Sequence, residues 1–242
     1  MSFAFLLSVV VVVYNNIVNR WGPFQGPAYL PLNLMFAAAV IFVAAATLGL
    51  SRAELGLQGD LSDFGLPLAL VAMFAIGAFV LAGSRSGHYI ADRRVVDLHG
   101  SALAFYVLVR IPLGTAVVEE VVFRGALFAA WRNAGASTQL AAVCASVAFG
   151  LWHVAPTIIG LRLNDPRASW RKLSLAVTGA ILITTVAGLG LQWLRMDSGG
   201  LAGPIALHAG INSVGALAAV SAGRRAGARL QHRSRATHAS GR

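Results

Sequence analysis

Long apolar runs, separated by short polar or glycine-rich joints, dominate this chain. They cover residues 3–19, 29–50, 64–83, 102–131, 136–155, 173–194 and 201–222. A helix needs about 20 apolar residues to cross a hydrocarbon core, and each run is near or above that length. The runs are continuous rather than alternating. Backbone in lipid must close its hydrogen bonds as a helix or a sealed barrel, so the pattern predicts helices. The 102–131 run is too long for one straight span. Pro112 and Gly114 are expected to kink it or divide it in two. The fold class read from the pattern is all-α: a polytopic transmembrane helix bundle of seven to eight spans.

Composition turns that pattern into a class. The chain is 57% hydrophobic and 12% charged, whereas soluble domains carry about 25% charged residues. An integral membrane protein follows, and no segment is polar enough to form a separate soluble domain. Residues 1–222 read as one membrane-embedded domain. The first run lacks a basic n-region and ends in Asn15-Asn16 rather than a small-residue cleavage site, so it reads as a retained span. Cys144 is the single cysteine, which excludes an internal disulfide and a cysteine-based metal site.

Charge adds orientation and partners. The net charge of +10 comes from eighteen arginines and one lysine, Lys172. These lie mostly in loops and in the 223–242 tail, which reads as a disordered cytoplasmic segment resting on anionic lipid headgroups. Nucleic acid is not expected as a partner. With seven spans, fourteen basic residues share the tail's side and three (Arg52, Arg132 and Arg195) the other. The positive-inside rule then favours seven spans with the C-terminus cytoplasmic. The scarcity of lysine suggests a G+C-rich genome and a bacterial inner membrane.

Against this background a few polar residues inside the runs stand out. Only three glutamates occur, and Glu119 and Glu120 are adjacent within an apolar run. A carboxylate at bilayer depth costs about 2.5–3.5 kcal/mol on insertion scales, so this pair marks a candidate site. Glu120 and Arg124, four apart, share a helix face and can pair. Glu119 is turned about 100° from Glu120 and faces elsewhere. Phe149 and His153 are four apart in the next run, as are His208 and Asn212 in the last. Of six histidines, these two alone lie within runs. Singly, each is compatible with a structural ion pair or interhelical hydrogen bond. Together they exceed what charge neutralisation requires.

Glu-Glu-x-x-x-Arg (Glu119, Glu120, Arg124), then Phe-x-x-x-His (Phe149, His153), then His-x-x-x-Asn (His208, Asn212), resembles the CPBP family of intramembrane proteases. This is the CAAX-protease and bacteriocin-processing family, related to the type II CAAX prenyl endopeptidase. The resemblance covers about 102–222, the expected protease core. It implies an intramembrane endopeptidase in which Glu119 is the general base and His153 helps hold the water. His208 and Asn212 would face the oxyanion, with Glu120, Arg124 and Phe149 as the surrounding frame. The same residues leave a metal open. Glu119, His153 and His208 are candidate zinc ligands, although His-Glu-x-x-His is absent and a metal-free glutamate mechanism is slightly favoured. A membrane-associated peptide or protein is the expected substrate. A catalytically silent scaffold and a proton-coupled transporter using the same cluster are the alternatives. One difficulty is depth: counted along seven spans, His153 and His208 fall toward opposite ends. Their meeting requires the 197–204 stretch to dip inward, or the last span to tilt or break.

Overall fold

In a computed structural model, residues 2–18, 20, 26–59 and 64–240 are described, with side chains as far as 228. Within them, every apolar run is a helix and no strand is present. The helices are α1 (Ser2–Val18), α2 (Tyr29–Leu48), α3 (Gly65–Gly83), α4 (Gly100–Asn133), α5 (Thr138–Trp152), α6 (Val154–Asn164), α7 (Trp170–Ser198) and α8 (Ala202–Ser240). Six helical stretches are long and apolar enough to cross a membrane, with α5 and α6 counted together. The seventeen-residue α1 is a shorter apolar helix.

The 102–131 run does not divide. α4 continues through Pro112 over 34 residues, about 51 Å at the ordinary helical rise. It does so through wide, π-helical turns at Tyr106–Arg110, Pro112–Val117 and Val121–Leu127. Proline lacks an N–H and crowds the carbonyl one turn back. Widened turns around Pro112 let the helix pass it without a break, so the expected eighth span does not form. Such turns also re-aim the side chains that follow, as they commonly do at functional sites.

The real break falls later. The 136–155 run ends at His153, whose φ of −86° and ψ of 2° interrupt the helix before α6. Pro156 explains the position, since its ring crowds the Trp152 carbonyl and it donates nothing back. Carbonyls freed at a break inside a membrane need other donors, and α1 supplies them. Asn15 Nδ2 donates to Trp152 O at 2.7 Å, and Asn16 Nδ2 to Leu151 O at 3.0 Å. Asn16 Oδ1 accepts from the Ala155 N–H at 2.7 Å. The two asparagines brace the bend that carries His153.

Three contacts set the other levels of the site. α5 and α7 approach closely at Gly150, where a Cβ would run into the Thr185 side chain and lie 2.8 Å from Ile181 O. The α7–α8 turn contains Gly199 at φ 72°, a left-handed conformation that glycine adopts readily. Leu201 N–H then donates to Gly56 O at 2.9 Å. That segment in turn packs on α4, where a Cβ at Gly125 would meet Leu55 O at 3.1 Å. α8 therefore starts beside the residue that follows Arg124. Its seventh residue is His208, so the two histidines meet without the depth conflict expected from straight spans.

Outward faces are apolar, as lipid contact requires. Met73, Ile76 and Val80 of α3 are each about two-thirds exposed. The 223–240 stretch, expected to be disordered, forms the last part of α8 as helical backbone. Its alanines, arginines, leucine and glutamine favour helix. Arg224 Nη2 donates to Leu98 O at 2.8 Å, while the side chains of Arg229, Arg233 and Arg235, and all of Arg242, lie outside the described residues.

The 84–99 connection is fastened to the end of α6. Asp92 accepts from Arg94 Nε at 2.8 Å and Nη2 at 2.6 Å, and from Asn164 Nδ2 at 3.2 Å. Burial alone would raise the Asp92 pKa, but the hydrogen bonds and charge of Arg94, with Asn164, outweigh it and hold the group below its ordinary value. A depressed folded-state pKa contributes stability above the unfolded value near 3.9, and that stability is lost as pH falls through the folded value. Asp92→Asn is expected to destabilise the protein by about 0.5–1 kcal/mol at pH 7, a figure discounted for solvent screening of the pair. The difference from wild type should shrink in acid. Thermal melts at both pH values check this, and a pH-independent difference contradicts it.

Candidate active site

α4 places Glu119 and Glu120 on neighbouring faces, both buried. Glu120 is fully buried and Arg124 is 1% exposed. Arg124 Nη1 donates to Glu120 Oε1 at 3.1 Å, the i,i+4 pair expected from spacing. The same oxygen lies 2.7 Å from His208 Nδ1. A carboxylate oxygen only accepts, so His208 donates from Nδ1 and turns Nε2 away from Glu120.

His153 is fixed by different means to the same effect. Its Nδ1 lies 2.7 Å from the carbonyl of Phe149, one turn back. A carbonyl also only accepts, so Nδ1 carries the proton and Nε2 is bare when the ring is neutral. Both Nε2 atoms face one oxygen, Glu119 Oε2, at 3.6 Å from His208 and 4.0 Å from His153. Glu119 Oε1 accepts from the Trp152 indole N–H at 2.9 Å. Glu119 Oε2 is buried with no hydrogen-bond partner among the described residues. Three acceptor atoms thus converge on one spot with no donor between them. With both rings neutral, two carboxylates and one guanidinium leave the cluster one negative charge.

Phe149 is the apolar hub of this cluster. Its ring meets His153 edge-on at 4.7 Å and His208 at 5.9 Å, and Arg124 Cζ lies 4.1 Å from its centroid. Asn212, one turn beyond His208, is half-buried and makes no hydrogen bond among the described residues. It lines a cavity of about 330 Å³ together with His153, His208, Phe149, Thr184 and Leu207. A second cavity of about 460 Å³ reaches Glu119 and His153 from the other direction, past Tyr29, Arg94, Tyr106 and Arg110. Every residue singled out from sequence therefore lies at one place. Glu119, His153 and His208 point together, Glu120 and Arg124 stand behind His208, and Asn212 lies on the wall of the adjoining cavity.

Sequence reasoning missed Trp152, Asn15 and Asn16. Trp152 adjoins His153 in Phe-Gly-Leu-Trp-His, and an indole N–H beside a candidate site residue is the signal that could have found it. Nothing local pointed from Asn15 and Asn16 to a bend more than 130 residues away.

The candidate zinc set does not fit the ion as arranged. Among the described residues, no group of three His, Cys, Asp or Glu side chains could hold a metal. Ligand atoms about 2.0–2.1 Å from a tetrahedral zinc stand about 3.4 Å apart, closer than the 3.6 and 4.0 Å found here.

An all-helical membrane bundle with a buried carboxylate–imidazole cluster defines a class of membrane-embedded protein with a candidate hydrolytic site. Residues 101–214 match the family model described as type II CAAX prenyl endopeptidase Rce1-like. Over that stretch, which holds every candidate site residue, the chain is similar to the CPBP/CAAX protease family. The family points to a protease and, with the six apolar helices, to an integral membrane protein; it does not favour the scaffold or transporter alternatives. No curated protein and no solved structure matches the chain.

Proposed function

We propose that this protein is an intramembrane endopeptidase that hydrolyses a peptide bond with a water held by Glu119, His153 and His208. The observation that carries the reading is the convergence of three acceptors, Glu119 Oε2 and the two Nε2 atoms, without a donor. A water has two protons to give and fits contacts wider than a direct hydrogen bond. It donates one to Glu119 and one to a histidine, which leaves a lone pair for the carbonyl carbon of the substrate. Glu119 takes the water's proton as the carbon–oxygen bond forms, then passes it to the leaving amine as the carbon–nitrogen bond breaks. The unpaired Asn212 amide donates to the oxyanion from the cavity wall. His208 joins it once its Nε2 has taken a proton from solvent, its charge balanced by Glu120 through Nδ1, while Glu119 and His153 keep the water.

The substrate is a membrane-associated peptide or protein segment, for which the two cavities beside His153 give room. With α1 taken as a further span beside the six, the arginine distribution favours a cytoplasmic C-terminus in a bacterial inner membrane. The basic tail rests on anionic lipid, and nucleic acid is not a partner.

Turnover of a membrane-anchored peptide by the purified full chain tests the reading. Asn212→Ala is expected to slow cleavage roughly 10²–10³-fold, the effect of one lost oxyanion donor. A strong chelator is expected to leave wild-type turnover unchanged. Near-stoichiometric zinc in the active preparation, lost together with activity in His208→Ala, would overturn the metal-free mechanism while leaving the peptidase in place. Absence of cleavage across a panel of anchored peptides counts against the peptidase itself.

A further inference from the structure

A second group of polar atoms lies against the Glu120–Arg124 pair, and the chemistry above does not use it. Arg124 Nη2, Glu120 Oε2, Ser146 Oγ and both Oε1 and Nε2 of Gln192 are buried with no hydrogen-bond partner among the described residues. Gln192 is fully buried and Ser146 is 2% exposed. These side chains come from three helices, α4, α5 and α7. Gly188 of α7 shows how closely Arg124 and Ser146 approach. A Cβ there would lie 3.2 Å from Arg124 Nη2 and 3.1 Å from Ser146 Cβ. The missing side chain is what gives the guanidinium end and the serine their space.

The register of α7 against α4 sets Gln192 on the side of α7 that faces α4. Gly188 lies opposite Arg124, and Arg195 Cζ lies 4.9 Å from the ring centroid of Phe128. Gln192 falls between these two contacts and shares a face with Gly188, one turn away. A fully buried amide with both ends unsatisfied is rare in folded proteins. Apolar side chains at these sites would pack between helices without that penalty. Buried water typically satisfies about three such groups at once, and here donors and acceptors are both present.

We propose that Ser146, Gly188 and Gln192 form a hydration site in which ordered water bridges Arg124 Nη2 to the Ser146 hydroxyl and the Gln192 amide. Gln192 is thereby a positioning residue. It fixes the guanidinium that holds Glu120, and Glu120 fixes the Nδ1–H of His208. The catalytic consequence rests on the peptidase reading, whereas the bridge itself does not.

A cycle of Gln192→Met, Ser146→Ala and the double variant in the purified full chain tests both parts. Gln192→Met keeps the length of the side chain and removes both polar atoms. If the amide is simply an unsatisfied buried group, this change raises Tm. If it holds water on Arg124, Tm falls by roughly 2–4 °C, and the double variant loses less than the sum of the singles because both changes empty one site. Gly188→Ala, which fills the chamber and removes no polar atom, is expected to lower Tm similarly. On a cleaved peptide, Gln192→Met is expected to lower kcat roughly 10- to 100-fold with KM unchanged, as displaced catalytic groups do. A Tm at or above wild type, or strictly additive losses, overturns the hydration site. Unchanged kcat on a substrate that wild type cleaves overturns the positioning role. Because the thermal cycle needs no substrate, it still decides the hydration site if no peptide is ever cleaved.

Discussion

Glu119→Gln is expected to reduce peptide cleavage by at least about 10²–10⁴-fold, the range supplied by a positioned general base, with yield and membrane insertion unchanged. The amide oxygen can still accept from Trp152 Nε1, as Glu119 Oε1 does at 2.9 Å. The amide nitrogen then presents two donors where only acceptors now meet, so it can bond the bare Nε2 atoms of His153 and His208. The variant therefore loses the base while relieving a cluster of unsatisfied acceptors. Its Tm should equal or exceed that of wild type, and turnover and melting are read on the same preparation. Full turnover would remove Glu119 as the base, and a large fall in Tm would assign it a structural role.

Glu120→Gln and Arg124→Ala are expected to act in the opposite way, on folding first. Both partners are essentially excluded from solvent. Removing one charge of a buried pair leaves the other uncompensated, at about 3–5 kcal/mol. That is a large share of the roughly 5–15 kcal/mol by which proteins are stable, so folded yield should drop with either variant. The double variant should lose clearly less than the two added together. Activity should fall in all three, since Glu120 also holds His208 at 2.7 Å. Additive losses of stability would show that the 3.1 Å contact between Arg124 and Glu120 does not couple them.

Much of the architecture follows from local properties. Each long apolar run forms helix, because backbone in lipid has almost no other way to close its hydrogen bonds. The Glu120–Arg124 pair is visible in a spacing of four. The site residues are visible as ionisable groups where lipid tolerates few. Span count was harder to read. Pro112 suggested a division, but its effect depends on whether the helix can widen around it, and α4 does so through π-helical turns. Pro156, one run later, does break the helix, because Asn15 and Asn16 satisfy the carbonyls that it frees.

The sequence by itself determined a helical membrane protein, the candidate residues for its chemistry and the order of their motifs. Only the tertiary structure decided that both imidazoles turn Nε2 toward one oxygen of Glu119 and that Trp152 holds the other. It also decided that Glu120 bonds the Nδ1 of His208. The difference is physical. Hydrophobic runs and i,i+4 pairs are properties of a single helix, whereas the direction of a ring nitrogen is set by the partner of the other nitrogen. For His208 that partner lies on α4, 88 residues away in the chain. For His153 it is the Phe149 carbonyl, near by in sequence, but at a bend that α1 holds in place from outside.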